Sequence, residues 1–195
     1  MNVLIKKIAL ATALTLAASQ AFAEAETYKI DNSHSFTNWS VRHVVSKTSG
    51  TFSDVTGTVT IDRSNLANSS VNAKINLLSV NSSLAKRDEH IKKPEYLDVE
   101  KFAEMTFVSK KIEAKSATEG VMTGVLTMHG VAKEMTFPFK VLGFGPDAWG
   151  GFRSGFEAHT SLKASDFGFG WGLKPNASVG DDIEITLLIE GIKAK

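Results

Sequence analysis

Apolar and polar residues alternate along most of the chain with a period of two. The alternation runs through residues 55–62, 70–77, 104–107, 134–141, 152–162 and 183–189. This period is typical of a β-strand that buries one face and exposes the other. Polar and glycine-containing segments separate the runs and predict turns at 47–50, 65–69, 129–130, 143–151 and 174–180. The pattern therefore predicts an all-β protein of about eight antiparallel strands.

Two segments depart from this alternation. Residues 121–128 carry apolar side chains at both parities, which predicts a strand covered on both sides. Residues 82–96 predict a short helix that ends at Pro94. Its inner face is expected to carry Leu84, Asp88 and Ile91. The strands must hide their apolar faces in a two-sheet sandwich or a closed barrel, and in a barrel the helix would cover one end.

The N-terminal segment predicts secretion. Lys6 and Lys7 precede an apolar run at residues 8–18, and Ala21 and Ala23 form a small-x-small cleavage site. We therefore expect a signal peptide over residues 1–23, a folded domain over 24–195 and a periplasmic location. The run is too short to span a bilayer comfortably, so stable membrane insertion is not expected. The sequence contains no cysteine, which excludes a lipoprotein anchor and any disulfide bond.

Charge and short motifs exclude several classes of function. The chain of 195 residues has 22 basic and 21 acidic residues, so no overall field attracts nucleic acid. It has no G-x-S-x-G motif and no cysteine nucleophile. Glycine-rich residues 143–155 predict a hairpin loop rather than a phosphate site, and Asp181 and Asp182 are expected in a turn. The sequence therefore predicts neither an enzyme nor a cofactor.

None of the histidines has the spacing of a metal-binding motif. They are His34, His43, His90, His129 and His159. On one regular strand, His34 and His43 would point to opposite faces because they are separated by an odd number of positions. His159 lies on the polar face of its predicted strand, and His129 precedes a glycine in a predicted turn. No metal site is expected.

The inward faces of the predicted strands are mostly aliphatic and aromatic. In a barrel of about eight strands, such side chains either fill the interior or leave room for one ligand. The residues expected to line that space are Trp39, Val41, Val59, Ile75, Phe107, Phe137, Phe139, Phe156 and Ile185. The alternation alone does not distinguish a filled core from a cavity.

Six groups of motifs resemble the YceI family of bacterial lipid-binding proteins, in the order of that family. They are Y-K-I-D, H-S and W-S-V-R-H within 28–43; G-T-F and G-T-V-T-I-D within 50–62; R-D-E-H-I, Y-L-D-V-E-K-F and T-F within 87–107; G-V-L-T-M-H-G-V-A-K at 124–133; G-F-E-A at 155–158; and D-F-G at 166–168. The resemblance covers nearly all of the chain after the predicted signal peptide.

The resemblance implies a lipocalin-like, extended antiparallel barrel whose apolar tunnel holds a polyisoprenoid, such as an isoprenoid quinone or a prenyl phosphate. It also implies a periplasmic carrier, store or sensor, and a homodimer agrees with the general preference for symmetric pairs. Arg87 is the first candidate for the head group because a guanidinium donates several hydrogen bonds, and His43 is the second. The alternative is that Arg87 and Asp88 form a local ion pair that only fixes the helix.

Three positions depart from the family pattern. Ala103 replaces a usual proline, Thr37 replaces a usual apolar strand residue, and Ala164 replaces a usual basic residue before D-F-G. The last difference removes the side chain that a basic contact with ligand or partner would need there.

Two other functions stay open at this point. One is a protein-interaction module that serves a membrane redox complex. The other is a hydrolase that uses His43, Asp88 and His90, although the sequence shows no recognisable set of nucleophile, base and orienting group.

Overall fold

The computed structural model describes residues 25–195, and the predicted signal peptide lies outside the described residues. The strands are β1 (Glu26–Ile30), β2 (Phe36–His43), β3 (Ser46–Phe52), β4 (Val55–Ile61), β5 (Ser70–Asn76), β6 (Val80–Asn81), β7 (Glu104–Ala114), β8 (Glu119–Met128), β9 (Val131–Pro146), β10 (Phe152–Lys163) and β11 (Val179–Lys193). The α-helix of this region, α1, spans Ala85–Ile91, and short 3-10 turns lie at Leu66–Asn68, Leu77–Ser79, Ala164–Phe167 and Trp171–Leu173.

The strands close into an antiparallel barrel. Their order is β1-β4-β5-β7-β8-β9-β10-β11, and β11 pairs back onto β1. Strand β2 pairs with the other part of β11, β3 pairs with β2, and β6 pairs with β3. Strands β1 and β2 therefore lie end to end and together act as one strand of the barrel, which we call a row. Strands β4 and β3 form a second such row, and β5 and β6 form a third. The result is a barrel of eight rows, which confirms the all-β prediction. Of the two architectures that the sequence left open, the closed barrel is correct and the two-sheet sandwich is not.

Three of the rows are interrupted at the same level, at residues 31–35, 53–54 and 77–79, and we call this level the waist. Side chains satisfy the backbone there. The side chain of Asn32 accepts a hydrogen bond from the backbone N–H of Val55 at 2.8 Å. The hydroxyl of Ser35 donates to the carbonyl of Glu190 at 3.2 Å and accepts from its N–H at 3.1 Å. The waist therefore breaks the strands without leaving these backbone groups unpaired.

The waist divides the barrel into two halves. The lower half contains β1, β4 and β5, and the upper half contains β2, β3 and β6, while β10 and β11 run through both. The lower core includes Tyr28, Ile61, Leu66, Ile112, Met122, Phe137, Phe139, Val141 and Ala158. The upper core includes Phe52, Leu77, Val80, Leu97, Val99, Ala164, Phe167 and Phe169, several of which lie outside the strands.

The helix lies where the sequence predicts it, but the residues predicted for its inner face are only partly correct. Helix α1 ends at Ile91, before Pro94, and Leu84 precedes it as an exposed N-cap residue. Leu84 therefore does not face inward. Ile91 does face the interior, and the carboxylate of Asp88 turns back to Ser82, accepting from its N–H at 2.8 Å.

Two of the predicted turns are misplaced. Residues 47–50 lie in β3, and the chain reverses at Val44 and Val45 instead. Gly50 is needed inside the strand because it faces Trp39: a Cβ atom at Gly50 would lie 2.4 Å from the indole ring. The predicted 143–155 loop is also shorter than expected, because β9 and β10 leave only residues 147–151 between them.

Two further expectations from the sequence are also wrong. Asp181 and Asp182 lie inside β11 rather than in a turn, and Asp181 accepts hydrogen bonds from the backbone and hydroxyl of Ser165 at 2.8 and 2.7 Å. Strand β8 buries one face, while Val121 and Val125 on the other face are only half-buried, so it is not covered on both sides. Within residues 25–195, no helix is long and apolar enough to cross a membrane.

Candidate binding cavity

The lower half of the barrel encloses a cavity of about 160 Å³. Alternating residues of the strands supply nearly all of its lining, because period two turns their apolar side chains inward. Seven of the residues expected from the sequence lie here: Val59, Ile75, Phe107, Phe137, Phe139, Phe156 and Ile185. Among residues 25–195, no Lys, Arg or His side chain lines this cavity, so its interior favours apolar groups.

A second cavity, of about 390 Å³, lies in the upper half. Trp39 and Val41, expected in the lining, and His43 and Arg87, the two head-group candidates, all line it. Its outer end is bordered by residues that are exposed to solvent, including His43, His90 and Ser178. The upper cavity therefore reaches the surface beside α1.

The two cavities adjoin one another. Met105, Leu162 and Ile185 line both of them. The two cavities are therefore neighbours along the barrel, and the arginine and histidine side chains lie around the upper one. All eleven residues predicted for the site line one cavity or the other, while their contact with a ligand stays a prediction.

A second group of lining residues was not predicted from the sequence. These residues come from segments outside the strands. They are Tyr96, Leu97, Phe169 and Trp171. Trp171 stacks on Phe169 with ring centroids 4.5 Å apart and packs against Tyr96 at 5.2 Å. The alternation of aromatic residues and glycine at 167–171 is the signal that could have located part of this group.

Two histidines take part in this aromatic packing. The ring of His90 meets Tyr96 edge-on at 4.8 Å, and His129 lies between Phe102 and Phe169 at 4.6 and 4.5 Å. His129 also bonds through Nδ1 to the carbonyl of Phe167 at 3.1 Å. His159 is exposed on the outer face, as predicted, and contacts Glu157.

Arg87 is held in place by backbone and hydroxyl oxygens of one residue. Its Nε donates to Ser82 Oγ at 2.7 Å, and its Nη2 donates to the Ser82 carbonyl at 2.6 Å. Asp88 bonds to the same serine, and no ion pair joins it to Arg87 in the described part of the chain. Arg87 and Asp88 therefore share an anchor at Ser82 instead of forming the local ion pair of the alternative, and Arg87 Nη1 has no protein partner among residues 25–195.

The three residues of the alternative hydrolase do not assemble into a proton relay. The carboxylate of Asp88 accepts from Ser82, and His90 Nε2 lies 3.5 Å from Glu95. Between residues 25 and 195, no hydrogen bond joins His43, Asp88 and His90 to one another. A base without an orienting partner or a nucleophile gives no support to a hydrolase.

One group of residues has the geometry of a cation site but already contains a cation. Ligand atoms of Asp31, His34 and Glu190 lie within 4.8 Å of one another. The guanidinium of Arg153 donates to Asp31, Glu190 and Asp147, and so occupies this position. A hydrogen bond from His34, together with Arg153, holds the pKa of Asp31 at about 2, well below its ordinary value. His34 lies in the waist, so it does not share a strand with His43 as assumed from the sequence.

Comparisons with known proteins agree with this architecture. Among solved structures, Burkholderia cenocepacia BcnA superposes with a TM-score of 0.74 at 23% identity, covering 83% of this chain and 98% of that one. The YCEI protein of Campylobacter jejuni gives a TM-score of 0.67 at 28% identity, covering 75% and 85% of the two chains. A polyisoprenoid binding domain from Saccharophagus degradans gives 0.63 at 15% identity, covering 86% and 98%. The first and third likenesses establish the fold alone.

The sequence comparisons go further than the fold. Protein YceI of Salmonella arizonae is 39% identical to this chain over 176 residues, which cover 89% of this chain and 90% of the relative. Protein YceI of Salmonella newport has the same identity and coverage. The family model described as a YceI-like domain matches residues 28–191, which include every strand from β2 to β10. The chain therefore belongs to the YceI family.

Proposed function

We propose that this protein binds a long-chain isoprenoid lipid inside the barrel and serves as a periplasmic carrier, store or sensor of it. The observation that carries the proposal is the pair of adjoining apolar cavities, which share Met105, Leu162 and Ile185. An isoprenoid chain exposed to water costs about 25 cal/mol for each Å² of apolar surface, and an elongated apolar space removes that cost. The polyisoprenoid binding domain with the same fold supports this class of ligand. The predicted signal peptide supports the periplasmic location.

The shape of the interior fits a chain-like ligand better than a compact one. The lower cavity is lined by inward-facing strand residues, and the upper cavity continues it toward the exposed residues beside α1. A flexible chain can follow such a space without directional contacts, because dispersion and burial act along its whole length. The outer end provides the route by which the chain enters.

The test is native mass spectrometry of the protein purified without detergent, followed by extraction into organic solvent and identification of the extracted mass. We expect a co-purifying hydrophobic compound. The variant Phe139→Asp, which places a charge in the lower cavity, should lose it, because the carboxylate must be desolvated. Phe156→Asp should act in the same direction.

The matched control is Val108→Asp, since Val108 is 47% exposed on β7 and lines neither cavity. Circular dichroism on all three variants verifies that they are folded. The proposal fails if wild-type protein emerges free of any hydrophobic mass and also binds no added isoprenoid. It also fails if folded Phe139→Asp retains the lipid as well as Val108→Asp does.

A further inference from the structure

Exposed apolar side chains cluster at the outer end of the upper cavity. Val44 and Val45 form the turn between β2 and β3 and are 54% and 96% exposed, and Leu173 in the neighbouring loop is 66% exposed. We call the turn, residues 43–46, and the loop, residues 171–178, together the rim. Single exposed apolar residues are ordinary on a protein surface, whereas a cluster beside a cavity indicates a contact surface.

The turn and the loop of the rim border one surface depression of about 340 Å³, whose lining includes Val44 and Lys174. The backbone N–H of Val44 donates to the carbonyl of Ser178 at 2.7 Å and so joins the two segments. Ser178 lines both this depression and the upper cavity. The depression therefore lies directly beside the outer end of the cavity.

The lining of the depression carries two cations, Arg42 and Lys174, and no carboxylate from the described part of the chain. Arg42 is held by two backbone carbonyls, because its Nη1 donates to Val44 at 3.1 Å and its Nη2 donates to Ala177 at 3.0 Å. Neither Arg42 nor Lys174 forms an ion pair within residues 25–195. With its remaining N–H donors and the ammonium of Lys174, the depression fits an anionic group such as a phosphate.

The carboxylates near the rim do not neutralise this charge, because they have partners elsewhere. Asp181, whose backbone packs against Gly172, accepts from the N–H and the hydroxyl of Ser165 at 2.8 and 2.7 Å. Three further carboxylates of the upper end contact basic groups, in the pairs Glu184 with Lys47, Glu89 with Lys92 and Glu95 with His90. The depression therefore keeps a net positive charge.

The opposite end of the barrel exposes an apolar side chain without this pattern of charge. Trp149, in the loop between β9 and β10, is 84% exposed. The nearby cation, Arg153, donates to Asp147 at 2.9 Å and also contacts Asp31 and Glu190. Apolar exposure and unneutralised cations therefore coincide at the rim rather than at this loop.

The turn between β2 and β3 exposes its valines at a conformational cost. Val44 has a φ of 51°, in the left-handed region that β-branched residues rarely adopt. Glycine or asparagine would relieve this strain. Strain at an exposed apolar residue favours a role for that side chain in a contact outside the folded chain.

We propose that the rim docks the protein on membranes that contain anionic phospholipids. Val45 and Leu173 enter the interface between lipid head groups and acyl chains, while Arg42 and Lys174 bind the phosphate of a head group. Two apolar side chains are too few for permanent insertion, so the contact is reversible. The inference rests on the proposed function and adds the surface at which the ligand moves between the cavity and a bilayer.

The first test is sedimentation of the mature protein, residues 24–195, with unilamellar vesicles. Vesicles of phosphatidylcholine and phosphatidylglycerol in equal amounts carry a negative surface, and vesicles of phosphatidylcholine alone do not. We expect the protein to partition about tenfold more strongly onto the mixed vesicles. High salt should reduce this difference, because it screens the attraction between the cations and the lipid.

Variants of the rim should weaken the binding to mixed vesicles. Lys174→Gln should weaken it about fivefold, the effect of one basic side chain near an anionic surface. The double variant Val45→Ser with Leu173→Ser should weaken it about tenfold, because less apolar surface leaves water. The matched controls, Lys115→Gln and Trp149→Ser, change exposed residues at the opposite end and should bind like wild type. Circular dichroism verifies that all variants are folded.

The chain contains no cysteine, which permits a second measurement that reports position rather than affinity. Val45→Cys and Trp149→Cys are each labelled with one environment-sensitive fluorophore. With mixed vesicles, the label at position 45 should shift its emission to the blue and be quenched by nitroxide-labelled lipid. The label at position 149 should do neither.

Several results would overturn the inference. These are equal binding to neutral and mixed vesicles, wild-type binding by the rim variants, and a blue shift at position 149 instead of 45. Failure to bind vesicles, combined with a dimer in solution that the double variant dissociates, would assign the rim to a second copy of the chain and also overturn it. In each case, a co-purifying isoprenoid leaves the proposed function intact. Binding to vesicles through the rim by a protein that retains no isoprenoid supports the docking surface and contradicts the proposed function, so the two failures are distinguishable.

Discussion

The two halves of the barrel bury their apolar residues in different ways. Below the waist, the core comes mainly from strand positions of one parity, such as Tyr28, Phe137 and Phe139. Above it, Leu97, Phe167 and many of their neighbours come from segments that are not strands. The lower half is therefore defined by strand pairing, whereas the upper half depends on how irregular segments pack onto the strands.

The two halves also differ in the side chains that line their cavities. The lower cavity is bordered by apolar groups without a cation, while the upper cavity carries Arg87, His43 and His90 near solvent. We infer that the lower half contributes most to stability, whereas the upper half, with the larger cavity and its exposed border, controls access. The predictions that follow test this division, beginning with the largest expected effect.

The first prediction concerns the core of the lower half. Tyr28 is fully buried, its ring centroid lies 5.9 Å from that of Phe144, and its hydroxyl donates to Glu26 at 2.7 Å. Tyr28→Ala should lower the free energy of unfolding by about 3–5 kcal/mol in urea denaturation, since it removes a large buried aromatic side chain. Tyr28→Phe, the control, should lose only about 1 kcal/mol. A small loss for the alanine variant would show that the lower half does not determine stability.

The second prediction concerns the upper end. Trp171 is half-buried and packs between Phe169 and Tyr96. Trp171→Ala should cost about 1–2 kcal/mol, because only part of its apolar surface is lost. Hydrogen exchange should accelerate in residues 82–103 and 164–178, and bound isoprenoid should dissociate faster.

The control for this prediction is Trp149→Ala, because Trp149 is 84% exposed in the loop at the opposite end. It should change neither hydrogen exchange at the upper end nor the rate of dissociation. If both tryptophan variants release ligand at the wild-type rate, the upper end does not control access.

The third prediction concerns the junction between the halves, where Thr37 on β2 lines the lower cavity. In the absence of ligand, Thr37→Val should raise the free energy of unfolding by about 1 kcal/mol, because it replaces a buried hydroxyl that has no partner among residues 25–195 by an isosteric methyl group. Thr58→Val, on the exposed face, should change stability by less than about 0.5 kcal/mol. A loss of stability in Thr37→Val would mean that the hydroxyl has a partner in the ligand-free protein.

The fourth and smallest effect is a dependence on pH at the waist. Hydrogen bonds from His34 and Arg153 hold the pKa of Asp31 at about 2, against an ordinary value of 3.8. Because the folded pKa lies below the unfolded one, the contribution of Asp31 to stability is complete above about pH 4 and is lost as the pH falls toward 2.

Thermal unfolding between pH 5 and pH 2 checks this expectation. The melting temperature of Asp31→Asn should be less sensitive to pH over that interval than that of the wild type. Asp182→Asn, a change in an exposed carboxylate paired with Lys163, provides the comparison. Equal slopes for wild type and Asp31→Asn would remove Asp31 from the acid response.

The sequence predicts the lower half better than the upper half for a physical reason. Period two follows directly from strand geometry, so residues such as Val59 and Phe137 could be assigned to the interior without any tertiary information. Tyr96 and Trp171 lie in segments whose conformation depends on distant contacts. The 164–167 turn, for example, is tied to Asp181 through Ser165 and to His129 through Phe167.

The errors in turn placement have a similar origin. Val44 and Val45 carry none of the usual turn residues, yet the chain reverses there with Val44 at a φ of 51°. Gly50 resembles a turn residue but is required in β3 by the ring of Trp39. The unpartnered hydroxyl of Thr37 was equally out of reach, because a sequence shows a departure from a family pattern without showing whether the polar atom finds a partner.

The interrupted rows of the waist have a consequence for folding accuracy. In an uninterrupted barrel strand, a slip of one residue in pairing exchanges the inner and outer faces along its whole length. Here β1 and β2 pair with separate parts of β11, and residues 31–35 between them are fixed by side chains such as Ser35. We therefore expect that a misregistered β2 hairpin can be corrected without undoing the pairing of β1 with β4.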